Sequence, residues 1–213
     1  MSILDAHREA LARIANRSRS RRLIARAGHD FASNDYLGLA NAPELRAAVA
    51  AALERGVAIG AGGSRLLRGN DPEHEALEAE AAAYFGSQAA LFFSTGFAAN
   101  SAIFSTLPAG RDLIVHDALI HASAHEGMRL GRATTVAAAH GDVQAFADAI
   151  HHWRAAGNKG RVWIAVESVY SMDGDVAPIE ALAALADRED AFLIVDEAHA
   201  TGVFGPEGRG LAH

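Results

Sequence analysis

The 213-residue chain contains no cysteine and almost no lysine. Without cysteine it can have no disulfide framework, no thiolate nucleophile and no cysteine-ligated metal, and we predict no metal site. Lys159 is the only lysine among 19 Lys and Arg residues. It lies in Ala155-Ala-Gly-Asn-Lys-Gly160, a turn pattern between a predicted helix and a predicted strand. We therefore expect Lys159 to be a solvated loop residue.

The chain also lacks an excess of positive charge and a long apolar run. Its formal net charge is -7 at pH 7, whereas a nucleic-acid surface normally shows a basic footprint. No apolar run approaches the roughly 20 residues needed to span a bilayer. The charged N-terminal segment has no apolar core of the signal-peptide kind. These features predict a soluble, cytoplasmic protein that binds neither nucleic acid nor membrane.

Half of the residues are hydrophobic and 21% are charged, which is typical of a packed globular chain rather than a disordered one. Residues 2–17 are predicted to form an amphipathic helix with Ser2 as its N-cap. A helix begins at Pro43 and is ended by Gly56, and another opens at Asp71-Pro72 and closes at Gly86. We expect residues 1–40 to form an N-terminal helix and connector, and residues 41–213 to form one large domain.

From residue 90 onward, short apolar runs alternate with helical patterns. Strands are predicted at Ala90–Ser94, Leu113–Val115, Thr134–Ala138, Val162–Val166 and Phe192–Val195, and helices at 97–106, 122–130, 143–156 and 178–188. This alternation favours an α/β fold with a mainly parallel sheet and helices on both faces. The segment Gly60-Ala-Gly-Gly63 does not fit the dinucleotide-binding pattern, because no strand leads directly into it and no helix opens on it.

Two polar residues follow the last predicted strand, Asp196 at its end and His199 three positions later. Open α/β sheets bind ligands at the carboxyl ends of their strands, and a buried carboxylate needs a cationic partner. The protonated ring nitrogen of pyridoxal phosphate would be such a partner, and an imidazole could hold its phenolic oxygen. The alternative is an Asp that caps the next turn and a structural His. These two residues alone leave both interpretations open.

Six motifs occur in order along the chain. They are Ser33-Asn-Asp-Tyr-Leu-Gly-Leu39, Gly60-Ala-Gly-Gly-Ser-Arg-Leu-Leu-Arg-Gly69, Ser94-Thr-Gly-Phe-Ala-Ala-Asn100, His116-Asp-Ala-Leu-Ile-His-Ala-Ser123, Ser168-Val-Tyr-Ser-Met-Asp-Gly174 and Val195-Asp-Glu-Ala-His199. Together they resemble the α-oxoamine synthases, pyridoxal-phosphate enzymes that condense an amino acid with an acyl-CoA. The resemblance runs from about residue 31 to the C-terminus. It implies the large domain of the aspartate-aminotransferase-like fold, with the C-terminal small domain not present in these residues.

The resemblance implies roles for residues at matching positions. Gly96 and Phe97 would hold the cofactor's phosphate, and a helix start is suited to this because its N–H groups and dipole favour anions. The residues implied to bind pyridoxal 5'-phosphate are Gly96, Phe97, His121, Ser171, Asp196 and His199, of which His121, Asp196 and His199 would be catalytic. His121 would stack on the ring, Asp196 would hold the ring nitrogen and His199 the phenolic oxygen. Arg21, Asn34 and Glu167 would lie near the substrate.

Glu197, His116 and His125 are interpreted as structural residues, and Asp173 as a turn residue.

The implied reaction is decarboxylative condensation of L-alanine with pimeloyl-CoA or a pimeloyl carrier thioester, in biotin synthesis. Relatives that use glycine or serine with an acyl-CoA are alternatives, as is a non-catalytic half-protein that binds the cofactor or dimerises. The resemblance also implies a homodimer in which the loop 60–69 approaches the partner's pocket. Because the lysine that forms the Schiff base in relatives would follow residue 213, we expect these 213 residues alone to be inactive.

Overall fold

A computed structural model describes residues 3–25 and 27–213. The backbone forms two compact units, one ending at Asn34 and the other running from Asp35 to His213. The first unit contains helix α1, Ile3–Asn16, which confirms the helix predicted at 2–17. The predicted cap, Ser2, lies outside the described residues. Across the described ranges, none of the helices is both long and apolar enough to cross a membrane.

The second unit alternates helices and strands after two initial helices. Its elements are α2 (Pro43–Glu54), α3 (Pro72–Tyr84), α4 (Gly96–Thr106), β1 (Leu113–Asp117), α5 (Ala122–Leu130), β2 (Thr134–Ala138), α6 (Val143–Ala155), β3 (Val162–Glu167), α7 (Ile179–Arg188) and β4 (Ala191–Asp196). Every one of these elements was predicted within two residues at each end. Caps account for the helix starts: Asp71 accepts from the Glu73 N–H, and Asp142 accepts from the Gln144 and Ala145 N–H groups.

The four strands form a wholly parallel sheet in the order β2-β1-β3-β4. Successive side chains of a strand point to opposite faces, and two separate clusters follow from this. Leu113 and Val115 join the cluster that includes residues of α6 and α7. Ile114 packs with residues of α4 and α5 on the other face. The sheet therefore carries helices on both faces, which confirms the predicted α/β fold.

The predicted strand at Ala90–Ser94 is wrong. This segment has no strand assignment, and the Phe92 N–H donates to the Glu78 carboxylate of α3 at 2.8 Å instead of to a neighbouring strand. A strand exists only where another strand pairs with it, and an apolar, β-prone run does not supply that partner. The large side chains of Leu91 and Phe92 are exposed. The segment is an irregular connection that leads into α4.

Candidate functional site

The carboxyl edge of the sheet gathers acidic residues. Asp117, Glu167 and Asp196 are the last residues of β1, β3 and β4. Because the strands are parallel, all three lie at the same edge, and Glu167 is the register partner of Asp196. This is the edge at which open α/β sheets bind ligands.

Asp196 is half-buried and accepts hydrogen bonds on both carboxylate oxygens. Its Oδ1 accepts from the Ala198 N–H at 3.0 Å, and its Oδ2 accepts from the Asn100 side-chain amide at 2.7 Å. Two donors satisfy an ionised carboxylate, which is an acceptor only. The cap suggested as an alternative is thus present on Oδ1, while Oδ2 is directed towards α4. Asn100 is the last residue of the third motif, but the sequence gives no indication of its contact with Asp196.

The N-terminal end of α4 carries unpaired backbone donors. Thr95 caps the helix by accepting from the Ala98 N–H at 3.0 Å, which explains why the helix begins at Gly96. Within residues 3–25 and 27–213, the backbone N–H groups of Gly96 and Phe97 have no acceptor, as expected for a first helical turn. A Cβ placed on Gly96 would meet no atom within 4 Å. The position therefore has the open donors and the space that an anion requires.

His121 is exposed and caps α5. Its Nδ1 accepts from the Ser123 N–H at 3.2 Å and lies 2.7 Å from the Ser123 hydroxyl oxygen. Because Nδ1 accepts a backbone N–H, the ring proton of neutral His121 is on Nε2. The ring therefore presents a donor nitrogen away from the helix cap.

His199 pairs with a residue that sequence reasoning gave no role. Its Nδ1 lies 2.5 Å from the Tyr36 hydroxyl oxygen, and the two rings are 6.0 Å apart between centroids. Tyr36 belongs to the first of the six motifs, so the motif was the signal that could have identified it. If the phenol donates to Nδ1, the remaining ring nitrogen of His199 is a donor.

Glu167 is almost fully buried at this edge, with 2% of its surface exposed. Its Oε2 accepts from the Ser171 N–H at 3.1 Å, and its Oε1 has no partner among the described residues. Burial raises the pKa of Glu167 from 4.5 to about 7, and the charge of Asp196 adds to the increase. Ser171 itself is an exposed turn residue. The turn backbone therefore holds a carboxyl group that can take up a proton near neutral pH.

A second cluster, which the sequence did not predict, joins the ends of β1 and β2 to the turn after β3. His140 follows β2, and its two ring nitrogens each lie 2.8 Å from a carboxylate oxygen, one of Asp117 and one of Asp175. The bond to Asp117 is the main reason why the pKa of His140 is raised. Backbone N–H groups of Leu119 and Gly141 also donate to Asp117. The cluster fixes the segment after β1 relative to the turn after β3.

The remaining predicted residues lie elsewhere. Arg21 and Asn34 belong to the first compact unit and not to the unit that contains the sheet, and their substrate roles stay predictions. Lys159 is exposed and precedes β3, and therefore lies at the amino edge of the sheet, opposite to Asp196. His116 is buried and contacts His125 edge to face at 4.9 Å between centroids. Glu197 accepts from the Leu211 N–H and holds the glycine-rich loop.

The parallel sheet has helices on both faces, an acid at the end of β4 and a helix that starts at a glycine, and these features agree with one family of α/β proteins. The chain belongs to the aminotransferase class I and II family, whose model matches residues 28–212. The family fold is thus confirmed together with the sheet topology.

The resemblance to particular members is also confirmed. The 8-amino-7-oxononanoate synthase of Anaeromyxobacter sp. (strain Fw109-5) is 47% identical over 86% of this chain and 45% of its own length. The structure of an 8-amino-7-oxononanoate synthase from Francisella tularensis matches with a TM-score of 0.68 and 33% identity, over 84% of this chain and 48% of that chain.

A structure described as SPT with PLP matches with a TM-score of 0.76 and 35% identity, over 84% of this chain and 44% of that chain. The chain spans about half the length of the relatives that it matches.

Proposed function

We propose that this chain is the cofactor-binding part of a pyridoxal-phosphate-dependent acyltransferase. The complete protein would condense L-alanine with pimeloyl-CoA, or with a pimeloyl carrier thioester, to form 8-amino-7-oxononanoate in biotin synthesis. The names of the similar proteins support this activity. The observation that carries the proposal is the position of Asp196 at the carboxyl end of β4. Both of its oxygens accept hydrogen bonds, one of them from α4, the helix whose first N–H groups have no acceptor among the described residues.

The residues at this edge have the donors and acceptors that pyridoxal phosphate needs. Gly96 and Phe97 offer backbone N–H groups to the phosphate, and Asp196 offers an acceptor to the ring N–H. His121 offers a flat ring for stacking, and His199 a donor for the phenolic oxygen. Ser171 stays a predicted hydrogen-bond partner of the cofactor. When bound, pyridoxal phosphate supplies an electron-withdrawing ring beside the amino-acid Cα.

Asp196 would accept the hydrogen bond of the ring N–H, and charge-assisted bonds of this kind contribute roughly 1.5–3 kcal/mol. Glu167 can take up and release a proton on the buried side of the site near neutral pH, because its pKa is raised to about 7. Asn34 and Arg21 are proposed to bind the substrate carboxylate. These groups would bind and orient the cofactor and the amino acid and hold protons. They do not define the pocket for the acyl chain.

The amine that holds the cofactor aldehyde has no candidate at this edge among the described residues. Lys159 is the only lysine, and it lies at the opposite edge of the sheet. We propose that the amine comes from sequence outside residues 1–213. A non-catalytic module that binds the cofactor or dimerises is the competing function, and it is favoured by this same position of Lys159.

We further propose that the complete protein is a homodimer in the cytoplasm, with the loop 60–69 at the interface. Arg65 anchors this loop through two contacts to the Glu78 carboxylate, at 2.5 and 3.0 Å. Leu66 and Leu67 next to it are almost fully exposed, and exposed apolar side chains in a cluster are typical of an interaction surface. Light scattering of the full-length protein should give a dimer, and a clean monomer would contradict the proposal.

The activity is tested by steady-state assays of the full-length protein with two substrate pairs. L-Alanine with pimeloyl-CoA should give a higher kcat/KM than glycine with succinyl-CoA. Exposed Lys159→Arg should leave the activity unchanged, whereas Asp196→Asn should remove most of it. A higher kcat/KM for the glycine pair would assign the protein to a different member of the family. No turnover with any amino acid and acyl-CoA would favour the non-catalytic module.

A further inference from the structure

The residues proposed to hold two parts of the cofactor ring are connected to each other. The side-chain amide of Asn100 in α4 donates to Asp196 Oδ2 at 2.7 Å and to the Ser123 hydroxyl oxygen at 3.0 Å. The same hydroxyl oxygen lies 2.7 Å from His121 Nδ1. A continuous chain of three hydrogen bonds therefore runs from the end of β4, through α4, to the start of α5.

The direction of every bond in this chain is determined by its two ends. A carboxylate only accepts, so the nitrogen of the Asn100 amide must face Asp196 and must donate there. The same nitrogen then donates its second hydrogen to Ser123. At the other end, His121 Nδ1 already accepts the Ser123 N–H, so it is unprotonated and accepts the Ser123 hydroxyl hydrogen as well.

The middle of this chain of hydrogen bonds is sheltered from water, so its direction matters there. Ser123 has 1% of its surface exposed and Asn100 is half-buried. Water cannot easily replace a lost partner at such positions, and a buried polar group left without one costs free energy. An alternative explanation is simple helix capping, since His121 also caps α5. Capping accounts for the Ser123 N–H bond but leaves the bonds of Asn100 unexplained.

We propose that Asn100 and Ser123 are positioning residues that fix the orientation of the Asp196 carboxylate and keep the ring proton of His121 on Nε2. The inference rests on the proposed function, because it concerns the two residues proposed to hold the ring nitrogen and the ring face. Neither Asn100 nor Ser123 touches the reacting atoms. They act through Asp196 and His121, and they couple the two.

Substitution of Asn100 by aspartate reverses the chain with almost no change in shape. An aspartate side chain would accept the Ser123 hydroxyl hydrogen, and the Ser123 oxygen would then be free to accept a hydrogen from His121 Nδ1, at the cost of the cap bond from the Ser123 N–H. It would also place a second carboxylate against Asp196 without a hydrogen between them. We therefore expect Asn100→Asp to move the His121 proton from Nε2 towards Nδ1 and to weaken pyridoxal phosphate binding about tenfold or more.

The direct test is ¹⁵N NMR of the histidine rings in the full-length protein without cofactor. Wild type should show His121 with its proton on Nε2, and Asn100→Asp should show protonated Nδ1. Asn100→Ala, which keeps the fold if the aspartate variant does not, frees the Ser123 oxygen to accept, so only the Ser123 N–H still favours Nε2 and the share of protonated Nδ1 should rise. Asn158 also donates to one acceptor, the Trp153 carbonyl at 2.8 Å, so Asn158→Asp is a matched control and should leave His121 unchanged.

Asn100→Asp in a Ser123→Ala background distinguishes an effect carried by the hydrogen bonds from a through-space effect of the added charge. Without the hydroxyl, Asn100→Asp should no longer change the nitrogen shifts of His121. The proposal would be overturned if neither Asn100 variant changed the His121 shifts in protein that keeps Ser123. It would also be overturned if Asn100→Asp changed these shifts equally in the Ser123→Ala background. Pyridoxal phosphate binding is measured on the same samples. If the wild-type protein did not bind pyridoxal phosphate, the proposed function would be overturned instead, whatever the histidine spectra show.

Discussion

Glu167 and Asp196 are register partners at the carboxyl ends of β3 and β4, so two acids lie side by side at one edge of the sheet. They are held in different ways. Asp196 has a donor on each oxygen, whereas Glu167 is buried with one oxygen unpaired. The pKa of Glu167 is accordingly raised to about 7 by burial, with a contribution from the charge of Asp196. Two neighbouring carboxyl groups thus lie in different surroundings, and Glu167 can exchange a proton near neutral pH.

Glu167→Gln tests this arrangement through folding stability. A raised pKa means that the protonated form favours the fold, so this contribution is complete below the ordinary value of 4.5 and is lost as the pH rises through about 7. Glutamine mimics the protonated acid at every pH. Urea unfolding should therefore show the variant gaining about 1–3 kcal/mol on wild type between about pH 4.5 and pH 8. Glu180→Gln, at an exposed position, is the control, and an equal difference at both pH values would contradict the account.

Tyr36→Phe tests whether the phenol fixes the ring of His199. Removal of the hydroxyl leaves His199 Nδ1 without its partner at 2.5 Å, and the ring proton can then occupy either nitrogen. The free energy of unfolding should change by less than about 1 kcal/mol, because Tyr36 is exposed. The ¹⁵N shifts of His199 should instead show a mixture of tautomers.

The matched control for this substitution is Tyr84→Phe. The Tyr84 hydroxyl donates to the Glu207 carbonyl at 2.6 Å, away from His199, so its loss should leave the His199 shifts unchanged. Identical spectra for Tyr36→Phe and wild type would show that the contact does not set the tautomer.

His140→Gln tests the cluster that joins the strand ends. Its pKa is raised by Asp117 first and by Asp175 as well, with the phenol of Tyr170 packed against the ring. The stabilising contribution of His140 is therefore complete below its ordinary value of 6.5 and is lost as the pH rises through the raised value.

The variant should lose about 1–2 kcal/mol of stability near pH 6 and less near pH 9, measured by chemical unfolding. His152→Gln on the exposed face of α6 is the control. A loss that does not depend on pH would mean that His140 acts by packing and not by charge.

The sequence predicted the features that depend only on residues close together along the chain. Apolar runs with turn residues around them placed β1 to β4 within two residues, because such patterns need no distant partner. The segment Ala90–Ser94 has the same kind of pattern, but it lacks a pairing strand in the described structure, and pairing is not a local property. Asp196 was identified because strand ends have a fixed place in a parallel sheet.

The contacts that orient the site could not be predicted in this way. Asn100 lies 96 residues from Asp196 in sequence, and Tyr36 lies 163 residues from His199. The motifs contain all four residues, yet their spacing gives no distance between side chains. Only the folded sheet, which brings α4 and residue 36 to the ends of the strands, shows which groups meet.

The measurement that tests the account most directly is equilibrium binding of pyridoxal phosphate to the full-length protein and to two variants. Asp196→Asn should weaken binding about tenfold to a hundredfold, since it removes a charge-assisted bond of roughly 1.5–3 kcal/mol. Lys159→Arg, at the opposite edge of the sheet, should bind as wild type does. Unchanged affinity in Asp196→Asn, or lost affinity in Lys159→Arg, would contradict a cofactor site at the carboxyl edge of this sheet.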